Sequence, residues 1–282
     1  MTRKNKKFVG LFLIIAILIA AIFLLLPKKS IAPNGGVKTS ETATVTASLS
    51  NNLSNLNWPK GQTINAAILM YHHVGPVPAG ADEIRRGLTV STANFTKQLQ
   101  YLKDNNFNVL TLAELYRAVS NGKVPEKTVV LTFDDGYEDN FTVAYPKLQE
   151  FGYKATFFII TSKVGMADYM NEDQLKELSR SGNEIASHTV HHLSLDTVSG
   201  VTLEREITES KAYLEKLTGV SVIDFCYPSG KFSDEAKDDL KKAGYKMAVT
   251  TEPSKGSFSS DKPYEVPRFR IGPTTNLENL LK

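Results

Sequence analysis

The sequence predicts a parallel α/β domain of six or seven strand–helix units, either a closed or partly closed barrel or an open doubly wound sheet, behind an N-terminal transmembrane helix. Three observations carry this expectation: an unbroken apolar run near the N-terminus, a Ser/Thr/Asn-rich stretch after it, and a regular alternation of short apolar runs with amphipathic segments from Gly61 onward. The chain has 282 residues, 41% hydrophobic and 22% charged, an ordinary globular composition with room for one sizeable domain.

Phe8 to Leu26 holds no charged residue and is largely aliphatic. As a helix it would be roughly 28 Å long at ~1.5 Å per residue, close to the hydrocarbon thickness of a bilayer. Arg3, Lys4, Lys6 and Lys7 precede it against Lys28 and Lys29 after it, so residues 1–7 are expected to stay cytoplasmic, with 8–26 as the anchor and the rest exported. A cleaved secretory signal would have a shorter apolar core and a small-x-small site, whereas "PKKS" follows Leu26. Residues 27–60 have no sustained apolar period and read as a flexible tether, leaving 61–282 as the folded domain. The formal charge of +3, less the six positive charges of residues 1–29, leaves −3 on the remainder, so nothing favours nucleic acid as a partner. The single cysteine, Cys226, has no partner for an internal disulfide.

The domain's elements follow in order. "INAAILMYHHV" is a short apolar run that reads as a strand, and "STANFTKQLQYLKDNN" opens on Ser/Thr caps and sets Phe95, Leu99 and Leu102 on one helical face. "NVLTL" is a strand, "AELYRAVSNG" a helix closing on Gly122, "KTVVLTFDD" a strand, and "EDNFTVAYPKLQEFG" a helix carrying Pro146. "KATFFIIT" and "NEIASHT" are strands on either side of the helix "NEDQLKELSRSG". The long amphipathic helix "LEREITESKAYLEKLTG" leads to the strand "VIDFCYPSG", the capped helix "SDEAKDDLKKAG" and the strand "YKMAVTT". In either architecture ligands gather at the carboxyl ends of the strands. Gly-rich dinucleotide and P-loop signatures are absent, as is a G-x-S-x-G elbow, which excludes several common functions of such a domain.

Three stretches fall at those strand ends. Asp134 and Asp135 stand side by side where charge is costly without compensation. "SHTVHH" sets His188 and His192 four apart, and "MYHHV" ends the first strand with His72 and His73. All five histidines of the chain lie in these two clusters. Two imidazoles and one carboxylate make a three-ligand site suited to Zn²⁺ or a similar ion with a position left open, and Asp135 can be the oxygen ligand. Asp134 would then stay free as the general base acting on water whose pKa the ion lowers to about 7. His191 offers a rival His188-x-x-His191 spacing.

"TFDDG" at 132–136 and "SHTVHH" at 187–192 resemble the first two motifs of the polysaccharide deacetylases, the NodB-type domains of carbohydrate esterase family 4, and the resemblance covers about 64–282. It implies a distorted (β/α) barrel with fewer than eight strands and metal-dependent removal of acetyl groups from a glycan. It implies Asp134 as base, Asp135, His188 and His192 as ligands of one divalent ion, Zn²⁺ first with Co²⁺, Ni²⁺ or Fe²⁺ also suitable, and Thr189 as a shaper of the turn. The later motifs depart from the family pattern. "FCYPSG" puts Cys226 where an arginine would orient the base and Ser229 where an aromatic residue would stand. Tyr227, Pro228 and Ser229 form the expected oxyanion and substrate set, with the Ser229 amide as donor. No histidine follows His192, so the usual late general acid is missing. "MYHHV" resembles the first strand of a subgroup that includes poly-N-acetylglucosamine deacetylases, which implies His72 as general acid and His73 as second choice. Arg268 or Arg270 is expected to replace the missing arginine. The expected function is a membrane-tethered deacetylase of an N-acetylglucosamine polymer, peptidoglycan or exopolysaccharide. The alternatives are a glycan-binding domain without turnover and an O-acetyl xylan-type esterase.

Overall fold

The structure, a computed structural model, describes residues 56–282. The expected anchor and most of the expected tether lie outside the described residues, and among these no helix is long and apolar enough to cross a membrane.

Eight parallel strands make the central sheet: β1 (Ala67–Tyr71), β2 (Asn108–Leu110), β3 (Thr128–Phe133), β4 (Thr156–Ile159), β5 (Glu184–Ser187), β6 (Asp224–Cys226), β7 (Met247–Pro253) and β8 (Val266–Arg270). β1 pairs with both β3 and β8, which closes seven of the strands into a barrel in the order β1-β3-β4-β5-β6-β7-β8. β2 stays outside the ring. It pairs with Thr128–Val130 of β3, while β4 takes Thr132 and Phe133. The expectation of six or seven strands in a distorted barrel therefore agrees with the ring, and the excluded strand is the short, half-exposed "NVL".

Alternation with period 2 sorts the strand side chains into two cores. Ile68, Val130, Phe158, Ala186, Cys226 and Val266 fill the barrel. Leu69, Leu131, Phe133, Phe157, Ile185 and Phe225 face outward onto the helices α1 (Thr92–Asp104), α3 (Tyr145–Phe151), α4 (Glu172–Arg180), α5 (Gly200–Thr218) and α6 (Asp234–Lys242). Each such side chain removed from water contributes about 1.5–3 kcal/mol. Helix α2 (Leu112–Ser120) does something different. Its Leu112 N–H donates to Thr156 Oγ1 at 3.0 Å and its Ala113 N–H to Glu184 Oε2 at 2.9 Å, so it lies across the amino ends of β4 and β5 as a floor. The chain enters at that pole. Trp58 stacks on Tyr116 with centroids 5.1 Å apart, and its indole N–H donates to the Ser260 carbonyl at 2.7 Å. Thr63–Asn65 pairs antiparallel with Ser257–Ser259.

Two expected elements are broken in the structure. The first strand stops at Tyr71, with His73–Val74 pairing separately to Thr89–Val90. The segment "EDNFTVAYPKLQEFG" opens with a π-helical turn at Asn140–Ala144 before α3, and that wider turn accommodates Pro146, which cannot donate to an α ladder.

Candidate active site

The inward parity of the strands carries the site residues to the open pole. His72 continues Ile68 and Met70, Asp134 continues Val130 and Thr132, and His188 continues Glu184 and Ala186. The Asp134 N–H donates to the Tyr71 carbonyl at 3.0 Å, which holds the ends of β1 and β3 together. By alternation Asp135 would face away, but Asp135 (φ 76°) and Gly136 (φ 82°) are both left-handed and reverse the chain. A side chain at 136 would come within 3.2 Å of Ile159 Cδ1, so the position suits glycine twice over. The left-handed aspartate costs of order 1–3 kcal/mol, a strain typical of functional turns.

This reversal brings Asp135 to the two imidazoles. Its Oδ1 lies 3.3 Å from His188 Nε2 and 3.5 Å from His192 Nε2. His188 Nδ1 is 2.7 Å from the Cys226 carbonyl, which can only accept, so Nδ1 carries a proton and Nε2 is the nitrogen turned to Asp135. Thr189 (φ 66°) and His192 (φ 62°) are also left-handed, and Thr189 Oγ1 accepts the His192 N–H at 2.8 Å. Donors bound at ~2.0–2.2 Å to one tetrahedral ion lie roughly 3.4 Å apart, so this set fits a divalent cation. Asp134, His188 and Cys226 form a second close group, but Arg268 Nη2 stands 3.2 Å from Cys226 Sγ and 2.7 Å from Asp134 Oδ2. A guanidinium already fills that space and excludes another cation. His191 turns away, its Nδ1 2.6 Å from Glu206 Oε1.

Asp134 is gripped bidentately by Arg268, with both N–O distances 2.7 Å. Arg268 is fully buried and also donates to the Thr250 carbonyl at 2.9 Å and to Thr132 Oγ1 at 3.0 Å. Cys226 Sγ is 3.6 Å from Asp134 Oδ2. Burial pushes the Asp134 pKa up, but the charge and hydrogen bonds of Arg268 outweigh it and hold the carboxyl below its ordinary value. Burial likewise opposes ionisation of Asp135, and the hydrogen bond from His188 overcomes it, leaving Asp135 far below the usual range.

His72 Nε2 faces Asp134 Oδ2 at 4.0 Å, and its buried Nδ1 has no hydrogen-bond partner. Burial lowers its pKa; Asp134 and Asp135 oppose that shift, whereas Arg268 and Arg270 add to it. The structure does not bring His73 to this group. Its Nδ1 lies 2.9 Å from Asp139 Oδ2, and its Nε2 meets Arg85, so both ring nitrogens are engaged elsewhere. Arg270 is exposed and makes no contact with Asp134, so of the two arginines it is Arg268 that meets the acid. Ser229 is exposed in a left-handed conformation (φ 54°), behind a buried Pro228. Tyr227 corrects the expected substrate set: it is fully buried, stacked on Phe232 at 4.5 Å, and offers a glycan no surface.

Sequence reasoning missed Thr132 and Thr250, which seat Arg268, and Glu206, which holds the turn between the two histidines. The inward parity of Thr132 with Asp134 was a readable signal for the first; a lone acid in an amphipathic helix is none for the last.

Residues 121–248 match the family model for polysaccharide deacetylase. YxkH of Bacillus subtilis, described as a polysaccharide deacetylase, is 35% identical over 208 residues, covering 73% of this chain and 71% of the relative. The poly-beta-1,6-N-acetyl-D-glucosamine N-deacetylase of Staphylococcus aureus is 32% identical over 211 residues, 70% of this chain and 72% of its own. The deacetylase PplD of Streptococcus pyogenes, solved in complex with acetate, superposes with a TM-score of 0.72 at 35% identity over 78% of this chain and 98% of its own. Motif order, barrel and identity agree, and the chain belongs to the polysaccharide deacetylase family.

Proposed function

We propose that this protein is a divalent-metal-dependent N-deacetylase of an N-acetylglucosamine-containing polysaccharide, tethered on the outer side of the cytoplasmic membrane. One observation carries the reading. Asp135, His188 and His192 converge with ligand spacing, while the adjacent Asp134 is held ionised and turned off that trio by Arg268. Zn²⁺ suits this donor set best, with Co²⁺, Ni²⁺ or Fe²⁺ as further candidates. A bound ion would supply polarisation of the acetyl carbonyl and a lowered pKa for water.

The protein's own groups supply the proton transfers. Asp134 takes the proton of the attacking water as the tetrahedral centre forms, and Arg268 keeps that carboxylate ionised and aimed. Ser229, exposed in its left-handed turn, offers its backbone N–H to the developing oxyanion. His72, across from Asp134, delivers a proton to the departing sugar nitrogen. Burial disfavours its charged form, so the imidazolium, once formed, gives up its proton readily. Acetate and a free amine leave. The acetate in the PplD complex and the substrate named for the staphylococcal relative support the same reaction.

Acetate release is expected from β-1,6 or β-1,4 N-acetylglucosamine oligomers or peptidoglycan, at rates above those for O-acetylated xylan, with one equivalent of metal per chain by elemental analysis. A protein that binds glycan and metal but frees no acetate from any of these would sink the enzymatic reading. The apolar run of residues 8–26 supports the membrane tether, which protease accessibility on intact cells tests.

A further inference from the structure

Helix α5 buries one stripe, Leu203, Glu206, Ile207, Ser210 and Leu214, against the barrel. Four of the five fit such a face. Glu206 does not: a carboxylate only 3% exposed on an apolar face is costly unless donors converge on it. Three do, all from two of the three residues between the histidines of the trio, Val190 and His191. Glu206 Oε2 accepts the N–H of Val190 at 3.0 Å and of His191 at 2.8 Å, and Oε1 lies 2.6 Å from His191 Nδ1. One turn along, Ser210 Oγ meets Ser187 Oγ at 2.7 Å, immediately before His188. The same helix thus grips the ligand-bearing segment on both sides of His188.

We infer that Glu206 is a positioning residue for the metal centre: it folds residues 188–192 so that His188 and His192 share one point, and it keeps the neighbouring His191 out of the ligand set. The inference rests on the proposed metal-dependent reading of the site. A carboxylate suits the task because it only accepts, and two oxygens serve three donors here. Without it, the Val190 and His191 amides would seek other partners. The left-handed Thr189 and His192, which flank those two residues, would then lose the anchor between them.

The test compares Glu206→Met, Glu206→Gln and His191→Ala with the wild type, each stripped of metal and titrated with Zn²⁺ against a chelating dye. Circular dichroism of the metal-free proteins runs alongside. Glu206→Met is expected to fold and to bind Zn²⁺ about 10- to 100-fold more weakly, the usual cost of losing an outer partner of a ligand. Glu206→Gln is expected within a few-fold of wild type, because its amide oxygen can take both backbone N–H groups while its NH₂ faces His191 Nδ1 in the other tautomer. His191→Ala, which removes one of three contacts, should fall between them. Equal affinity in Glu206→Met and wild type overturns the proposal. So does a metal-free Glu206→Met that is unfolded, or a Gln variant as weak as Met, since the role would then be general stability or charge. A wild type that takes up no divalent ion overturns the reading of the site itself, an outcome seen before any variant is compared.

Discussion

Asp134 and Asp135 adjoin in the chain but answer to different partners. A buried guanidinium holds the first, and two imidazoles meet the second. Asp134→Asn should therefore keep metal content and lose acetate release by about 10²–10⁴-fold, the usual worth of a general base. Arg268→Met leaves a buried carboxylate uncompensated and should cost about 3–5 kcal/mol in urea unfolding at neutral pH. It also moves the pH profile. The Asp134 pKa is depressed in the folded protein, so the pair adds stability above the unfolded value of about 3.9, which is lost as pH falls through the folded one. Removing Arg268 raises the folded pKa, so the acid limb of kcat/KM is expected to shift to higher pH. A limb that stays in place would show that Arg268 does not tune the base. The sequence showed the two acids and their histidines plainly, since the residue types and spacing are the chemistry. Which arginine meets Asp134 depends on the closing strand of the barrel, more than 130 residues away, and no local pattern reports that pairing.

At the scale of elements, the turn after β6 is the tightest fit in the site. Gly230 has φ 71°, and a methyl group there would lie 2.1 Å from Thr251 Oγ1 and 2.6 Å from its backbone nitrogen. Gly230→Ala must displace the 227–231 turn from β7. It should cost at least about 1–3 kcal/mol in thermal or urea unfolding and should lower kcat by moving Ser229, with metal affinity unchanged. Strands and helices were legible because apolar alternation and caps are local, as the Thr111–Glu114 capping box and the Ser91 cap illustrate. Ring membership was not. β2 has the composition of a strand, and only the sharing of one edge of β3 with β4 leaves it outside. Tyr227 misled for a related reason: it continues β6 with outward parity, into the layer of Phe225 and Phe232. Counting parity from Cys226 would have removed it from the substrate set.

Across the whole molecule, the barrel interior is apolar in the middle and polar at both poles. At the floor, Asp224 is fully buried and neither carboxylate oxygen has a hydrogen-bond partner. Burial, reinforced by the neighbouring Glu184 carboxylate, pushes its pKa well above the ordinary value. The folded state then binds a proton that the unfolded chain releases near pH 4, so stability from this group falls as pH rises from there towards the folded pKa. Asp224→Asn should flatten that slope and raise the thermal midpoint near pH 8 relative to wild type; an unchanged slope would discount the floor acid. At the other pole, under the proposed metal-dependent reading, chelation of an ion held by Asp135, His188 and His192 should lower the thermal midpoint, and Zn²⁺ should restore it, because a ligand bound only by the folded state stabilises it by mass action.

The entry of the chain beneath the floor has a mechanical consequence. A pull on the chain ahead of Trp58 would be borne first by Trp58 against Tyr116 and by the short pair Thr63–Asn65 with Ser257–Ser259. The reacting groups sit beyond a five-residue β1, roughly 17 Å further along. Under the proposed tether, tension from residues 8–26 would therefore be carried at the pole opposite the aspartates and histidines, through contacts that hold none of them in place.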